Sequence, residues 1–168
     1  MAISQQARKT LIDKLVNASA SKGGQFITDG DYVMEIEKVV FDETFKGSCF
    51  IVELKVLESS GPKAAKVGSH LSWVQNITKH LSALGNAKAF VLALFGVQED
   101  EVPKDELDAT MVEVTNTDPN AKRTDGSLIG ANPAKGKRIR ASAYPAQTRA
   151  GQTITLVRWS HYEEPAGQ

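Results

Sequence analysis

The stretch from Lys135 to Ser160 alternates between two kinds of side chain, and this alternation constrains the fold more than any other feature of the sequence. Successive side chains of a β-strand point to opposite faces of a sheet, so alternation indicates strands with one apolar and one polar face. Cations and an aromatic residue alternate with small apolar residues in Arg138–Tyr144, and a second alternating run begins at Thr153. With residues 145–152 as the loop, the stretch is predicted to form a β-hairpin.

A loop of this length sets the expected pairing of the two strands, which is Tyr144 with Thr153, Arg140 with Val157, and Arg138 with Trp159. Trp159 is then expected on the outer face, where its indole can stack on the Arg138 guanidinium, and Ile154 and Leu156 are expected in the interior. Guanidinium groups and flat rings on one face suit the bases of a nucleic acid. An ordinary solvated face with an aromatic pair that steadies the sheet gives the same pattern.

Charge is distributed unevenly along the chain. The sequence has 20 basic and 20 acidic residues, and this zero net charge argues against coating of a polyanion by bulk charge alone. Residues 126–162 nevertheless contain no acidic residue. They contain six cations, Lys135, Lys137, Arg138, Arg140, Arg149 and Arg158. A site for a polyanion is therefore expected in this part of the chain.

Length and composition indicate one folded domain. The 168 residues, 41% of them hydrophobic, suffice for a core of their own. No apolar run approaches the roughly 20 residues needed to cross a bilayer. The first residues lack the apolar block and cleavage site of a secretory signal, so we expect a cytoplasmic protein. We divide the chain into an N-terminal helix and linker (1–24), a barrel domain (25–162, with a flexible loop at 116–136) and a short tail (163–168).

Upstream of the hairpin the pattern predicts three strands and two helices. The strands are expected from Asp31, over Phe50–Val56 and over Val67–Ile77, and the helices over Asn86–Phe95 and Pro103–Val114. Alternation breaks at Val39–Phe41, as a bulge or a strand buried on both faces would produce. Asn86 is the expected cap of the first helix and Gly96 its stop. This order predicts a mainly β fold, a five-stranded OB-type Greek-key barrel with an N-terminal helix and one or two helices between strands 3 and 4.

The same strands resemble bacteriophage single-stranded-DNA-binding proteins of OB-fold type, over about Asp31 to Ser160. The phrases that carry the resemblance are GDYVMEIEKVVF, SCFIVELKVLESS, KVGSHLSWVQNI, AKAFVLALFGV and IGANPAKGKRIRASAY. The resemblance implies a sequence-nonspecific single-stranded-DNA-binding protein of phage replication or recombination, acting in the cytoplasm of the infected bacterial host. It implies no catalytic residues, metal or cofactor. Replication or recombination proteins and further copies of the chain are additional candidate partners, and no membrane is expected.

In an OB-type barrel the ligand crosses strands 2 and 3 and is held by the loops that join strands 1 to 2 and 4 to 5. Phosphates need cations, and bases need exposed rings. Lys55, on the outer face of strand 2, suits a phosphate. Trp73 is expected on the same face of its strand as Leu71, which favours a core position over a stacking platform. The expected nucleic-acid-binding residues are Phe45, Lys46, Lys55, Trp73, Arg138, Arg140, Tyr144, Arg149 and Trp159.

Two other functions are compatible with the sequence. An OB barrel can bind proteins, so the chain is alternatively an adaptor whose basic face meets an acidic partner. Glu53 and Lys55 in an apolar strand, with Asp42 upstream, also have the form of a Mg²⁺-dependent nuclease core, in which two carboxylates hold the metal and lysine assists the attacking water. This match is short, and the α/β framework of such nucleases is absent from the predicted elements.

Overall fold

The computed structural model describes residues 25–44, 47–130 and 132–164, and in these residues the chain is mainly β. The strands are β1 (Gln25–Phe26), β2 (Gly30–Thr44), β3 (Gly47–Ser60), β4 (His70–Asn76), β5 (Arg138–Gln147) and β6 (Thr153–His161). The helices are α1 (Leu81–Phe95) and α2 (Lys104–Val114), with a 3₁₀ turn (Glu99–Glu101) between them. The predicted N-terminal helix and the loop residues Phe45 and Lys46 lie outside the described residues.

The six strands form one sheet in the order β1-β4-β3-β2-β5-β6. The long strand β2 connects its two halves, because it pairs antiparallel with both β3 and β5. The sheet is curled: the rings of Trp73 on β4 and Trp159 on β6 lie 5.1 Å apart although three strands separate β4 from β6. The β-rich expectation is thus confirmed, with six strands in the described residues in place of the five expected.

The pairing of β2 with β3 has two irregularities, and the second of them explains why the alternation of β2 breaks. The register against β3 shifts between Val33 and Met34 and again between Ile36 and Lys38. The second shift leaves Glu37 without a partner residue on β3, so Ile36 and Val39 both point inward, and each is 1% exposed. The interruption expected at Val39–Phe41 is therefore a bulge that lies a little earlier in the strand.

The concave face of the sheet and α1 share one hydrophobic core. Its fully buried members include Met34, Ile36, Phe50, Val52, Leu54, Phe90, Leu94 and Ile139. Leu71, Trp73 and Ala141 join them, so Trp73 has the core position that its strand pattern favours and not the expected place among the nucleic-acid-binding residues, whereas Val67 precedes β4 and is exposed. The alternating residues of β2, β3 and β5 thus direct their apolar members inward, as the sequence pattern requires.

Helix α1 begins earlier than predicted. Its N-cap position is His80, and Asn86 lies inside the helix, where its Nδ2 donates to Gln75 Oε1 at 2.9 Å. The predicted capping role of Asn86 is therefore wrong. The predicted stop is confirmed, because Gly96 takes a left-handed conformation (φ 67°) that ends the helix. Pro103 precedes α2 as its N-cap residue.

In the part of the chain that the structure describes, no helix has both the length and the apolar character to span a membrane.

The predicted hairpin is present, but its register is not the predicted one. The strands continue to a shorter turn, in which the Thr148 N–H donates to the Gln152 carbonyl at 2.8 Å. The pairing is consequently Tyr144 with Leu156, Arg140 with Ser160, and Ala141 with Trp159. This shift of three residues is odd, so every β6 side chain lies on the face opposite to the predicted one. Ile154 and Leu156 are outside, 41% and 38% exposed, and Trp159 packs against the core.

Candidate nucleic-acid interface

Four side chains on the outer face of β5 and β6, together with Tyr162 just after β6, combine charge with flat rings. They are Arg138, Arg140, Tyr144, Arg158 and Tyr162, and we call this set the arginine–tyrosine face. The intervening β5 residues Ile139, Ala141 and Ala143 are buried at 0%, 4% and 5% exposure. Because one side of β5 is anchored in the core, the polar side is held toward solvent by the pleat of the strand.

The face contains two arginine–tyrosine stacks. The Tyr162 ring lies under two guanidinium groups, with its centroid 5.9 Å from Arg138 Cζ and 5.3 Å from Arg140 Cζ. The Tyr144 ring centroid lies 5.7 Å from Arg158 Cζ. Attraction between a cation and a ring face is worth about 0.5–1 kcal/mol at exposed sites, so these contacts orient the arginines before any ligand arrives.

The guanidinium groups of this face are not neutralised by ion pairs. Among the described residues, no carboxylate lies within 4 Å of the Arg138, Arg140 or Arg158 side chain, and none of the three donates a hydrogen bond to a protein acceptor. The nearest acids by register are on β2, where Glu35 is opposite Arg138 and Asp31 opposite Ser142. Each guanidinium therefore keeps N–H donors for an external acceptor.

Arg123, in the connection between α2 and β5, shows the contrasting arrangement. Its Nε donates to Glu113 Oε1 at 2.6 Å, and this hydrogen bond raises the pKa of Arg123. Its Nη1 donates to the Leu128 carbonyl at 2.8 Å. Arg123 therefore uses its N–H donors to stabilise the connection between α2 and β5.

The two predicted tryptophans belong to the core. Trp73 is 7% exposed, and its ring makes an edge contact with Phe50 at 6.3 Å. Trp159 packs against Phe90 at 5.0 Å, and its Nε1 is buried without a hydrogen-bond partner in the described structure. The prediction that Trp159 stacks beside Arg138 on the outer face is wrong. Tyr162 takes that place.

Tyr162 is absent from the predicted site residues because the predicted hairpin ends at Ser160. In the observed register, Arg158 and Ser160 lie on the outer face of β6, and Tyr162 follows them just after the strand, one position beyond the Ile139–His161 pair. Extending the alternation by one step, with the correct loop length, identifies Tyr162 as the ring nearest the arginines.

The other predicted binding residues lie apart from the two stacks. Arg149 is exposed in the turn of the hairpin. Lys55 is exposed on the outer face of β3, and Glu35 separates it from Arg138 across the sheet. On its other side is His70, whose Nδ1 lies 2.5 Å from Glu37 Oε1. Lys55 thus sits among acids, and the structure does not bring it together with the arginine–tyrosine face.

The carboxylates of the nuclease alternative do not converge. Asp42 pairs with Cys49 of β3, whereas Glu53 pairs with Lys38, four residues farther along the same strand. That offset is about 13 Å at the rise of a β-strand, too far for both carboxylates to bind one ion. In the described ranges no group of three or more His, Cys, Asp or Glu side chains is arranged to hold a metal.

A scan against protein-family models and a search of curated proteins found no match to this chain. The geometry of the arginine–tyrosine face is therefore the basis for the functional proposal.

Proposed function

We propose that the protein binds single-stranded DNA without reading its sequence, through the arginine–tyrosine face. One observation carries the proposal: three guanidinium groups without carboxylate partners in the described structure are stacked on two tyrosine rings on one side of a hairpin. Non-specific single-strand binders need cations that follow the phosphates and rings on which bases stack. This face supplies both.

The chemistry favours an unpaired strand over a duplex. Guanidinium groups donate charge-assisted hydrogen bonds to phosphate oxygens, and a base that stacks on a tyrosine or guanidinium plane gains about 1–3 kcal/mol. A duplex hides the faces of its bases, so it can use only the phosphate contacts. The exposed Leu156, which is paired with Tyr144, adds apolar area beside one ring.

We infer further that the sheet is an OB-type barrel. The pairings β2–β3, β3–β4, β2–β5 and β5–β6 are those of a five-stranded OB barrel apart from its closing pair, and α1 follows the third of those strands. The short β1 adds a sixth strand beside β4. Together with the resemblance to phage single-stranded-DNA-binding proteins, this topology supports a role in phage DNA replication or recombination.

Salt dependence tests the binding mode. Fluorescence anisotropy with an oligothymidine of about 20 nucleotides, longer than the site of one OB fold, gives affinity at several salt concentrations. We expect the double variant Arg138→Ala, Arg140→Ala to bind more weakly and to lower the slope of log K against log salt by about 1.4, since each lost phosphate contact on a single strand accounts for about 0.7.

A matched control removes the same charge elsewhere. The double variant Lys66→Ala, Lys104→Ala also loses two exposed cations, neither of which belongs to the arginine–tyrosine face, and should keep the parent slope. The proposal fails if the Arg138 and Arg140 variant keeps the full salt dependence, or if a duplex of equal length binds as tightly as the single strand.

A further inference from the structure

The free edge of β6 has a composition that exposed strand edges usually lack. Its first five residues, Thr153–Val157, read TITLV and contain neither charge nor proline, and the first four are exposed. Natural proteins normally protect such edges with charged side chains, proline or bulges, because an open edge pairs with other strands. In the described structure β6 pairs only with β5, and the sheet ends there.

The hairpin turn determines which backbone groups face this edge. The Thr148 N–H donates to the Gln152 carbonyl, so the pair 148–152 is a hydrogen-bonded one. Hydrogen-bonded and non-bonded pairs alternate in an antiparallel ladder. Ile154 and Leu156 are therefore bonded to β5, whereas Thr153, Thr155 and Val157 direct their N–H and C=O groups away from it.

We propose that a second copy of this chain pairs with this edge, antiparallel and centred on Thr155. Two-fold symmetry then places Thr153 opposite Val157 of the partner subunit and Thr155 opposite its own counterpart. These pairs add about six backbone hydrogen bonds to groups that pair with no strand in the described structure. Thr153 and Val157 lie two residues before and two residues after Thr155, so the outward backbone groups of the edge match those of an identical edge that runs the opposite way. An isologous contact requires such self-complementarity.

The side chains of the outer face select this register. With Thr155 at the centre, Leu156 of each copy lies opposite Ile154 of the partner subunit, and Arg158 lies opposite the partner's Gln152. Centring on Leu156 would instead place Arg158 against an isoleucine, and centring on Ile154 would place Leu156 against a glutamine. Cross-strand neighbours contribute most when both are apolar, so the Thr155 register is preferred.

This pairing would make one continuous sheet from two copies. An axis perpendicular to the sheet keeps both outer faces on the same side, so two arginine–tyrosine faces would form one longer surface. That consequence for DNA rests on the proposed function, but the pairing itself does not require DNA.

Oligomeric state in the absence of DNA tests the pairing. Short edges give small interfaces, so we expect light scattering after gel filtration to show a dimer fraction that rises with concentration over about 1–100 µM. Thr155→Pro removes the N–H at the centre of the edge without removing a bond to β5, and should leave a folded monomer. Thr155→Val also loses the hydrogen bond from the Thr155 hydroxyl to Asp29 Oδ1 (3.1 Å), but should still dimerise.

A monomeric parent protein over this concentration range, or a Thr155→Pro variant that dimerises like the parent, would overturn the proposal. Circular dichroism verifies that the proline variant keeps the parent secondary structure.

Cysteine cross-linking tests the register independently of proline. In a Cys49→Ser background, Thr155→Cys places two Cα atoms about 5.5 Å apart across the axis, which suits a disulfide. Thr153→Cys places its two copies four residues out of register, about 13 Å apart, and should not cross-link. Absence of a covalent dimer in the Thr155→Cys variant, or equal cross-linking at both positions, contradicts the proposed pairing. None of these outcomes depends on the salt-slope experiment, so the two proposals fail separately.

Discussion

At the scale of single residues, Tyr32 ties two connections to the sheet. Its ring is 3% exposed, and its hydroxyl donates to the Thr28 carbonyl at 2.8 Å. The same oxygen accepts from the Ala65 N–H at 3.0 Å. Thr28 precedes β2 and Ala65 precedes β4, so one hydroxyl joins two segments that are distant in sequence. Removing it leaves partly buried backbone groups without this partner.

We therefore expect Tyr32→Phe to lower the free energy of unfolding by about 1–2 kcal/mol, because a hydrogen-bonded backbone donor loses its acceptor. Urea denaturation measures this change. Tyr144→Phe is the matched control: its hydroxyl makes no hydrogen bond in the described structure, so the change should stay within about 0.5 kcal/mol. Equal effects of the two substitutions would contradict the role assigned to the Tyr32 hydroxyl.

The same scale shows what alternation predicts well. Ile139 and Ala141 are expected in the interior, and both are buried, because their neighbours Arg138, Arg140 and Ser142 are polar and point to the opposite face of the strand. In β6 this signal is limited to one cation, Arg158, which shares a face with Ile154 and Leu156. Threonine and aliphatic residues alternate there, and either set can lie outside on a strand that is only partly covered.

At the scale of elements, the end of α1 is fitted closely to β6. Gly96 has φ 67°, and a Cβ placed there would lie 2.9 Å from the ring of His161. His161 Nδ1 in turn lies 3.1 Å from the Ala93 carbonyl in the last turn of the helix. Gly85, within α1, has open space around its Cα and an ordinary helical conformation. A side chain is therefore disfavoured at Gly96 and readily accommodated at Gly85.

Substituting each glycine by alanine should change stability in opposite directions. Gly96→Ala should destabilise by at least about 1–2 kcal/mol, since alanine is strained in the left-handed region and its Cβ contacts His161 too closely. Gly85→Ala should stabilise by about 0.5–1 kcal/mol, because a glycine within a helix loses more conformational entropy on folding. Thermal or urea unfolding of both variants measures the difference, and a change of the same sign in both would contradict the fit between α1 and β6.

The hairpin shows why element register was harder to predict than element type. The strand patterns located both strands, but nothing in residues 145–152 specified how many of them form the turn. The observed turn begins at Thr148, which extends β5 through Pro145 and Ala146 and shifts the pairing by an odd number. An odd shift exchanges the two faces of the strand. The wrong turn length therefore predicts Trp159 on the outer face, whereas it lies on the inner face. The arginines of β5 were placed correctly because their own strand fixed their face.

At the scale of the whole molecule, an aromatic cluster holds the curled sheet together where its strands do not pair. In the described structure β4 and β6 are not hydrogen-bonded to each other, and Phe90 of α1 lies between them. Its ring centroid is 5.7 Å from that of Trp73 and 5.0 Å from that of Trp159. The helix therefore packs against both β4 and β6 and, together with the direct contact of Trp73 with Trp159, holds these two strands near each other. Trp159 is required inside to make these contacts. This long-range contact has no signature in local alternation.

Phe90→Ala should destabilise the protein by about 3–5 kcal/mol, the usual cost of removing a fully buried phenylalanine. Leu84→Ala, at a 51% exposed position of the same helix, should change stability by about 0.5 kcal/mol or less. Tryptophan fluorescence reports on the cluster, and far-ultraviolet circular dichroism reports on the strands and helices together. Because both depend on one core, their urea transitions should coincide in the parent protein and in Phe90→Ala. A fluorescence transition at lower urea than the circular dichroism transition would mean that secondary structure survives loss of the aromatic cluster, and that the cluster does not hold β4 and β6 together.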